Sequence, residues 1–225
     1  IYMKDLTLII PAKKESESLP KVLEELKKYN LKTKIILSSD DLDTINSISK
    51  FNVEIIYQKN KGYGDALITG INSLNDGLFC IFNADGSFNP NELEKMYQKL
   101  KDENSDFIFA SRYEEFSGSE DDTFLTKLGN KFFTIFGQII FRLNITDILY
   151  TFVIGKVDKY KMLNIKSLDF GFCVELPIIA KKNNMSLNTF PSYERKRIAG
   201  IKKVNEFRDG FLILVKMLFL LFRNK

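Results

Sequence analysis

The chain has 225 residues, 44% hydrophobic and 28% charged, enough apolar material for one large folded domain. Its 33 basic and 29 acidic residues give a net charge of +4, too small a surplus to imply a nucleic-acid partner. No histidine is present, which excludes Ser-His-Asp and Cys-His catalysis, HExxH zinc sites and the 2-His-1-carboxylate iron site. Catalysis here must use carboxylates, Lys, Arg, Tyr, Ser or Thr, with a hard metal if any. Cys80 and Cys173 sit in apolar runs without a CxxC, so zinc ribbons and a disulfide framework are also excluded, and a reducing compartment is expected.

Residues 6–10 (LTLII) form a continuous apolar run, as a strand buried on both faces requires. Ser18 is the predicted cap of a helix that carries Pro20 in its first turn and runs to about Lys28. Strands are predicted at 34–37, 53–57, 78–82 and 106–110, and helices at 43–51, 65–74 and from Asn89-Pro90 to Leu100. Short apolar strands alternating with helices imply a parallel, doubly wound α/β sheet. Right-handed crossovers then bring the loops after the strands to one edge, where ligands bind in such sheets.

The polar residues agree with that rule. The strands are followed in turn by Pro11-Ala12-Lys13-Lys14-Glu15, Ser38-Ser39-Asp40-Asp41, Lys61-Gly62-Tyr63-Gly64, Asn83-Ala84-Asp85-Gly86-Ser87 and Ser111-Arg112-Tyr113. Beyond them the alternation stops. Residues 114–122 (EEFSGSEDD) have the composition of a mobile loop, and a long apolar helix is predicted over 123–143. A strand near 152–157, a helix over 172–182, a strand near 187–190, a basic loop over 195–203 and an apolar terminal helix complete the chain. The division expected is one domain over 1–204 and an interfacial helix over 205–225.

Asp85 lies at a strand end beside a glycine, where it is either a turn cap or a ligand for a divalent cation. A cation there would let the acidic rim of Glu15, Asp40 and Asp85 accept a diphosphate; without one, the carboxylates suit sugar or base hydroxyl and N–H donors. The glycines at 62 and 64 mark either close approach of a ligand or a plain turn. From Arg195 to the C-terminus nine cations face two acids, a larger surplus than that of the whole chain. The segments 132–141 (FFTIFGQIIF) and 210–222 (GFLILVKMLFLLF) are too short to cross a bilayer and unusually apolar for surface helices. They suit the core, an oligomer contact or a membrane interface, and the charge beside them favours anionic lipid over RNA.

Taken together, these motifs resemble family 2 glycosyltransferases of the GT-A fold, and are most similar to the polyprenyl-phosphate sugar synthases. The matches run along nearly the whole chain. They are Pro11 and Glu15 of P-x-x-x-E, Asp40 of an acidic pair, and Lys61, Gly62, Gly64, Ala66 and Gly70 of a basic-G-x-G-x-A-x-x-x-G loop. Further on stand Asn83-Ala84-Asp85 for D-x-D, Ser111-Arg112, Asp147 with Phe152, Gly171-Phe172 with Glu175, and Pro191, Arg197, Gly200 and Lys203. The first acid of D-x-D is an amide here, a weaker metal ligand.

The resemblance implies a Rossmann-like, mostly parallel sheet flanked by helices, with apolar helices in the C-terminal half. It implies that Pro11, Ala12, Glu15, Asp40, Lys61, Gly62, Asn83, Ala84, Asp85 and Arg112 bind a nucleoside diphosphate sugar, with Asp85 and Asn83 holding Mg²⁺ or Mn²⁺. Arg197 and Lys203 would neutralise phosphates, and Asp85, Asp147 and Arg197 would be the catalytic set. The implied reaction is inverting transfer to a polyprenyl phosphate by an enzyme attached peripherally to the cytoplasmic face of the membrane. One alternative is transfer to a saccharide hydroxyl in surface-polymer assembly, with Asp147 as base. Another is a non-catalytic nucleotide-binding descendant. No nucleic-acid partner is expected.

Overall fold

The computed structural model describes residues 3–200 and 205–223. Its centre is a seven-stranded sheet. In chain order its strands are β1 (Leu6–Pro11), β2 (Lys32–Leu37), β3 (Glu54–Tyr57), β4 (Leu78–Ile81), β5 (Phe107–Ser111), β7 (Val153–Lys156) and β8 (Leu187–Pro191). Across the sheet the order is β3-β2-β1-β4-β7-β5-β8. All pairs are parallel except the two made by β7, which lies antiparallel between β4 and β5. The expected sheet is therefore present, with one reversed strand that the apolar run alone did not orient. Gly155 makes room for it, because a Cβ there would sit 2.4 Å from the Phe107 ring and 2.9 Å from the Phe79 ring. Those two rings, one from each neighbouring strand, meet over the glycine at 6.3 Å.

Strand periodicity divides the apolar residues between two cores. Ile9, Ile36, Phe79 and Ile81 face one side, where they pack with helices α3 (Tyr63–Asn72), α5 (Phe124–Phe141), α7 (Phe172–Lys182) and α8 (Glu206–Phe222). Leu8, Ile10, Ile35, Leu37 and Cys80 face the other, against α1 (Leu19–Leu26), α2 (Leu42–Ser47) and α4 (Leu93–Asp102). A short helix α6 (Val157–Lys161) follows β7. Both cysteines are buried and free. Thr123 caps α5 by accepting from the Thr126 N–H at 3.1 Å. No helix among the described residues is long and apolar enough to cross a membrane.

Two local expectations are corrected. Ser18 holds the N-cap position of α1 as expected, but its side chain makes no capping bond; its hydroxyl donates to Glu15 Oε2 at 2.5 Å instead. The acidic segment is no free loop either. It forms β6 (Gly118–Ser119), which pairs in parallel with β9 (Tyr193–Glu194), and its carboxylates hold two arginines.

Candidate active site

The loops after β1, β2, β3 and β4 line one edge of the sheet. After β1, the backbone N–H of Ala12 donates to the Ile36 carbonyl at 2.8 Å. The N–H of Lys14 donates to Asp41 Oδ2 at 2.6 Å, and that of Glu15 to Thr44 Oγ1 at 2.9 Å. Pro11 ends β1 half-buried, and Glu15 is buried at 6% exposure. Asp40 is exposed, and the Ser38 hydroxyl followed by the charge of Lys61 holds its carboxyl below the ordinary range. The adjacent Asp41, singled out by no motif, ties the first two loops together and caps α2.

After β4, Asp85 Oδ1 accepts from the Ser87 N–H at 3.0 Å. The basic segment closes over this loop. Ile198 N–H donates to the Asp85 carbonyl at 2.8 Å, and Arg195 N–H to the Ser87 carbonyl at 2.8 Å. Gly86 has φ +83°, and a Cβ there would lie 2.4 Å from Ile198 Cδ1, so both its conformation and the crossing demand glycine. The segment then reaches the β1 loop, where a Cβ on Gly200 would stand 3.6 Å from Glu15 Oε2. This path sets Arg197 Nη1 3.9 Å from Asp85 Oδ2. The same guanidinium donates from Nε to Asp121 Oδ1 at 3.1 Å and from Nη2 to Asp121 Oδ2. That carboxylate first, with Asp85 assisting, raises the Arg197 pKa. Lys203 lies outside the described residues.

The structure gives the glycine loop a different reason from ligand approach. Cβ atoms at Gly62 and Gly64 would stand 2.0 Å from the Leu168 carbonyl oxygen and 2.1 Å from that of Ser167. The chain at 167–169 crosses directly over them, and Asp65 N–H donates to the Leu168 carbonyl at 3.0 Å. Lys61 and Gly62 remain exposed. Between the glycines, Tyr63 donates or accepts at Thr151 Oγ1 (2.6 Å) and stacks on Phe170 at 5.3 Å. Burial raises its pKa, and Asp85 is close enough to add to that rise.

Arg112 and Asp147 are brought together, buried, just past the end of β5. Arg112 is buried and grips Asp147 through Nε at 2.7 Å and Nη2 at 3.0 Å, while Nη1 reaches Asp122 and Glu194 at 3.1 Å each. Burial alone would lower the arginine pKa, yet these carboxylates carry it well above the ordinary value. Asp147 also accepts from Arg112 N–H and Asn130 Nδ2, and its side chain is wholly buried. Arg112, expected to bind the donor, is thus engaged here by interior acids, and Asp147, the expected base of the alternative reading, is enclosed and accepts from Arg112 and Asn130. Burial raises the Glu194 carboxyl despite the arginine.

The residues around Asp85 fit a divalent cation. Among the described residues Asp85 Oδ2 accepts no hydrogen bond, and Arg197 Nη1 stands 3.9 Å from it. Asn83 donates its amide nitrogen to Ser87 Oγ at 3.4 Å, leaving the carbonyl oxygen as its ligating atom. Among the described residues no group of three or more His, Cys, Asp or Glu side chains could cage a metal. Mg²⁺ and Mn²⁺ suit such a sparse site, because they take one or two protein oxygens and complete their shell with phosphate and water.

Comparison with known proteins agrees with this architecture. The sequence model of Glycosyl transferase family 2 matches residues 7–165. A UDP-N-acetylglucosamine--dolichyl-phosphate N-acetylglucosaminyltransferase of Methanococcus voltae is 24% identical over 96% of this chain and 96% of its own length. An uncharacterized protein of Methanocaldococcus jannaschii is 23% identical over 97% of this chain and 93% of its own. Glucosyl-3-phosphoglycerate synthase from Mycobacterium tuberculosis, crystallised with Mn²⁺, UDP and glucosyl-3-phosphoglycerate, superposes with a TM-score of 0.76. That match covers 96% of this chain and 79% of the synthase at 10% identity, so it bears on the fold alone.

Proposed function

The chain belongs to glycosyl transferase family 2, and from that premise we propose that it transfers a sugar from a nucleoside diphosphate to a polyprenyl phosphate at a membrane face. It is a glycosyltransferase of GT-A fold that uses a nucleotide sugar. The acceptor is the proposed part. The observation that carries it is Arg197, a cation 3.9 Å from the Asp85 carboxylate and so placed to meet an anionic acceptor. An acceptor that needs no deprotonation suits such a site. A phosphate monoester is largely dianionic at neutral pH, its second pKa being about 6. The name of the Methanococcus voltae relative, a dolichyl-phosphate transferase, supports the same class.

In this reading the nucleotide lies over the ends of β1 and β2, near Pro11, Ala12, Glu15 and Asp40, with Lys61 at its rim. Asp85 and the Asn83 carbonyl would hold Mg²⁺ or Mn²⁺, which when bound supplies positive charge to the departing diphosphate. Arg197 leaves Asp121 to pair with phosphate oxygens, a planar fork suited to them. An acceptor phosphate oxygen forms the bond to the anomeric carbon as the bond to the donor diphosphate breaks on the opposite side, with inversion. The diphosphate leaves with the electron pair, and no proton needs to move.

UDP-sugars are the first donors to test, since UDP stands in the names of the relative and of the structural neighbour. Radiolabelled nucleotide sugars are incubated with Mn²⁺ and a polyprenyl phosphate, and the organic phase is counted. Label in that phase is expected with one donor. Label transferred only to a free saccharide, or none with any donor, would contradict the acceptor.

A further inference from the structure

Helices α5 and α8 present far more apolar surface to solvent than a folded monomer usually leaves. On α5, Phe124, Leu128, Phe132, Ile135 and Ile139 are exposed, Phe124 at 84% and Ile139 at 70%. On α8, Phe207, Phe211, Val215, Leu218 and Phe222 are exposed, Phe207 at 80% and Phe222 at 85%. Both sets follow the same spacing, which traces one stripe along a helix.

Two contacts show how the stripes are arranged. Thr126 Oγ1 donates to Glu206 Oε1 at 2.8 Å, and a Cβ on Gly137 would lie 3.8 Å from Met217 Cε. The two points lie the same distance apart along each helix, so α5 and α8 run parallel and in step. Beneath both lies α7, buried from Phe172 to Ala180. The sides turned away from α7 therefore face the same way and join the two stripes into one face, about 26 Å long at 1.5 Å per residue.

The charge on this face has one sign. Lys127, Lys131, Arg142 and Arg208 are exposed around it. The acids of the two helices, Glu206 and Asp209, are engaged inward: Glu206 with Thr126, and Asp209, buried, with the Asn205 N–H. A second copy of the chain would set these cations against their like, whereas anionic headgroups complement them.

We propose that α5 and α8 together form a docking face for an anionic lipid surface, both helices lying in the plane of the interface with their cations at headgroup level. This deepens the acceptor reading above, because α5 begins directly after Asp121 and Asp122 and α8 follows the basic segment that carries Arg197. A docked face would thus present the site's edge to a lipid-borne phosphate.

The test uses the full chain and vesicles of phosphatidylcholine with or without about 30 mol% phosphatidylglycerol. Co-sedimentation is expected with the anionic vesicles, and the double variant Ile139→Asp/Phe211→Asp should lower partitioning by about tenfold or more. The chain has no tryptophan, so Phe132→Trp and Phe211→Trp give single reporters, one per helix. Both emissions should shift to the blue on adding anionic vesicles. These conservative variants decide the matter if the aspartate pair does not fold. Failure to bind vesicles, binding undiminished in a folded aspartate variant, a reporter shift on only one helix, or a stable dimer in sedimentation equilibrium that buries both reporters without lipid would each overturn the proposal. UDP binding with Mn²⁺ measured on the same samples separates loss of docking from loss of the donor site.

Discussion

Replacement of Arg112 by Met keeps the side-chain volume and removes the one cation shared by Asp147, Asp122 and Glu194. Their side chains are 0%, 8% and 9% exposed, so the charge left behind has little water to take refuge in. The least costly escape is for one of the acids to take up a proton. At pH 7, protonating a carboxyl of ordinary pKa costs about 4 kcal/mol, and at pH 5 about 1 kcal/mol. The first figure falls within the range of roughly 3–5 kcal/mol for breaking a buried ion pair from one side. In the variant the folded-state pKa of one acid lies above its unfolded value. The variant is thus relatively favoured at low pH and loses stability as pH rises through that pKa. Urea denaturation of both proteins at pH 5 and pH 7 should give a gap of about 1 kcal/mol at the lower pH and about 4 kcal/mol at the higher. An equal gap at both values, or one below about 1 kcal/mol at pH 7, would refute the reasoning. Unchanged stability with a raised donor KM would return Arg112 to the nucleotide.

Other substitutions probe separate parts of the fold. Gly64→Ala drives a methyl to 2.1 Å from the Ser167 carbonyl oxygen, and a loss of about 2–3 kcal/mol is expected by denaturant titration. Gly129→Ala, with nothing within 4 Å of the new methyl and a helical backbone, should stabilise by about 0.5–1 kcal/mol in the same titration. Burial pushes the Glu175 carboxyl up, but hydrogen bonding from Ser167 and the charge of Lys216 outweigh it and the pKa is lowered. Its stabilisation is therefore present above the ordinary carboxyl range and lost as pH falls through the lowered value. Melting temperatures of Glu175→Gln should accordingly fall below wild type at pH 7 and converge with it as the pH drops below about 4.

The sheet was legible because strands buried on both faces read as short apolar runs, here at 6–10, 78–82 and 107–110, each set between helical patterns. The direction of β7 was not, since a four-residue apolar strand carries no sign of whether its neighbours run with it or against it. The edge that holds Glu15, Asp40 and Asp85 followed from topology; Arg197 entered only through the resemblance. What escaped was pairing at long range. Residues 114–122 have loop composition, and nothing local shows that Asp121 meets Arg197 across 76 positions. Glycines 62 and 64 look the same in sequence whether a ligand or a distant chain segment crosses them; here residues 167–169 do. Arg112 and Asp147 carry motif signals, but nothing local shows that they meet each other in one buried ion network. Asp122, Glu194 and Asn130, which complete their network, lie in no recognisable pattern.

The central claim is that Asp85, with the Asn83 carbonyl, holds the divalent cation through which this edge accepts a diphosphate. Calorimetric titration of UDP into wild type and Asp85→Asn, each with and without Mn²⁺, tests it directly. Wild type should bind at least about tenfold more tightly with the metal, and the variant should gain nothing from it. Equal metal dependence in the two proteins, or wild-type binding indifferent to Mn²⁺, would contradict the account.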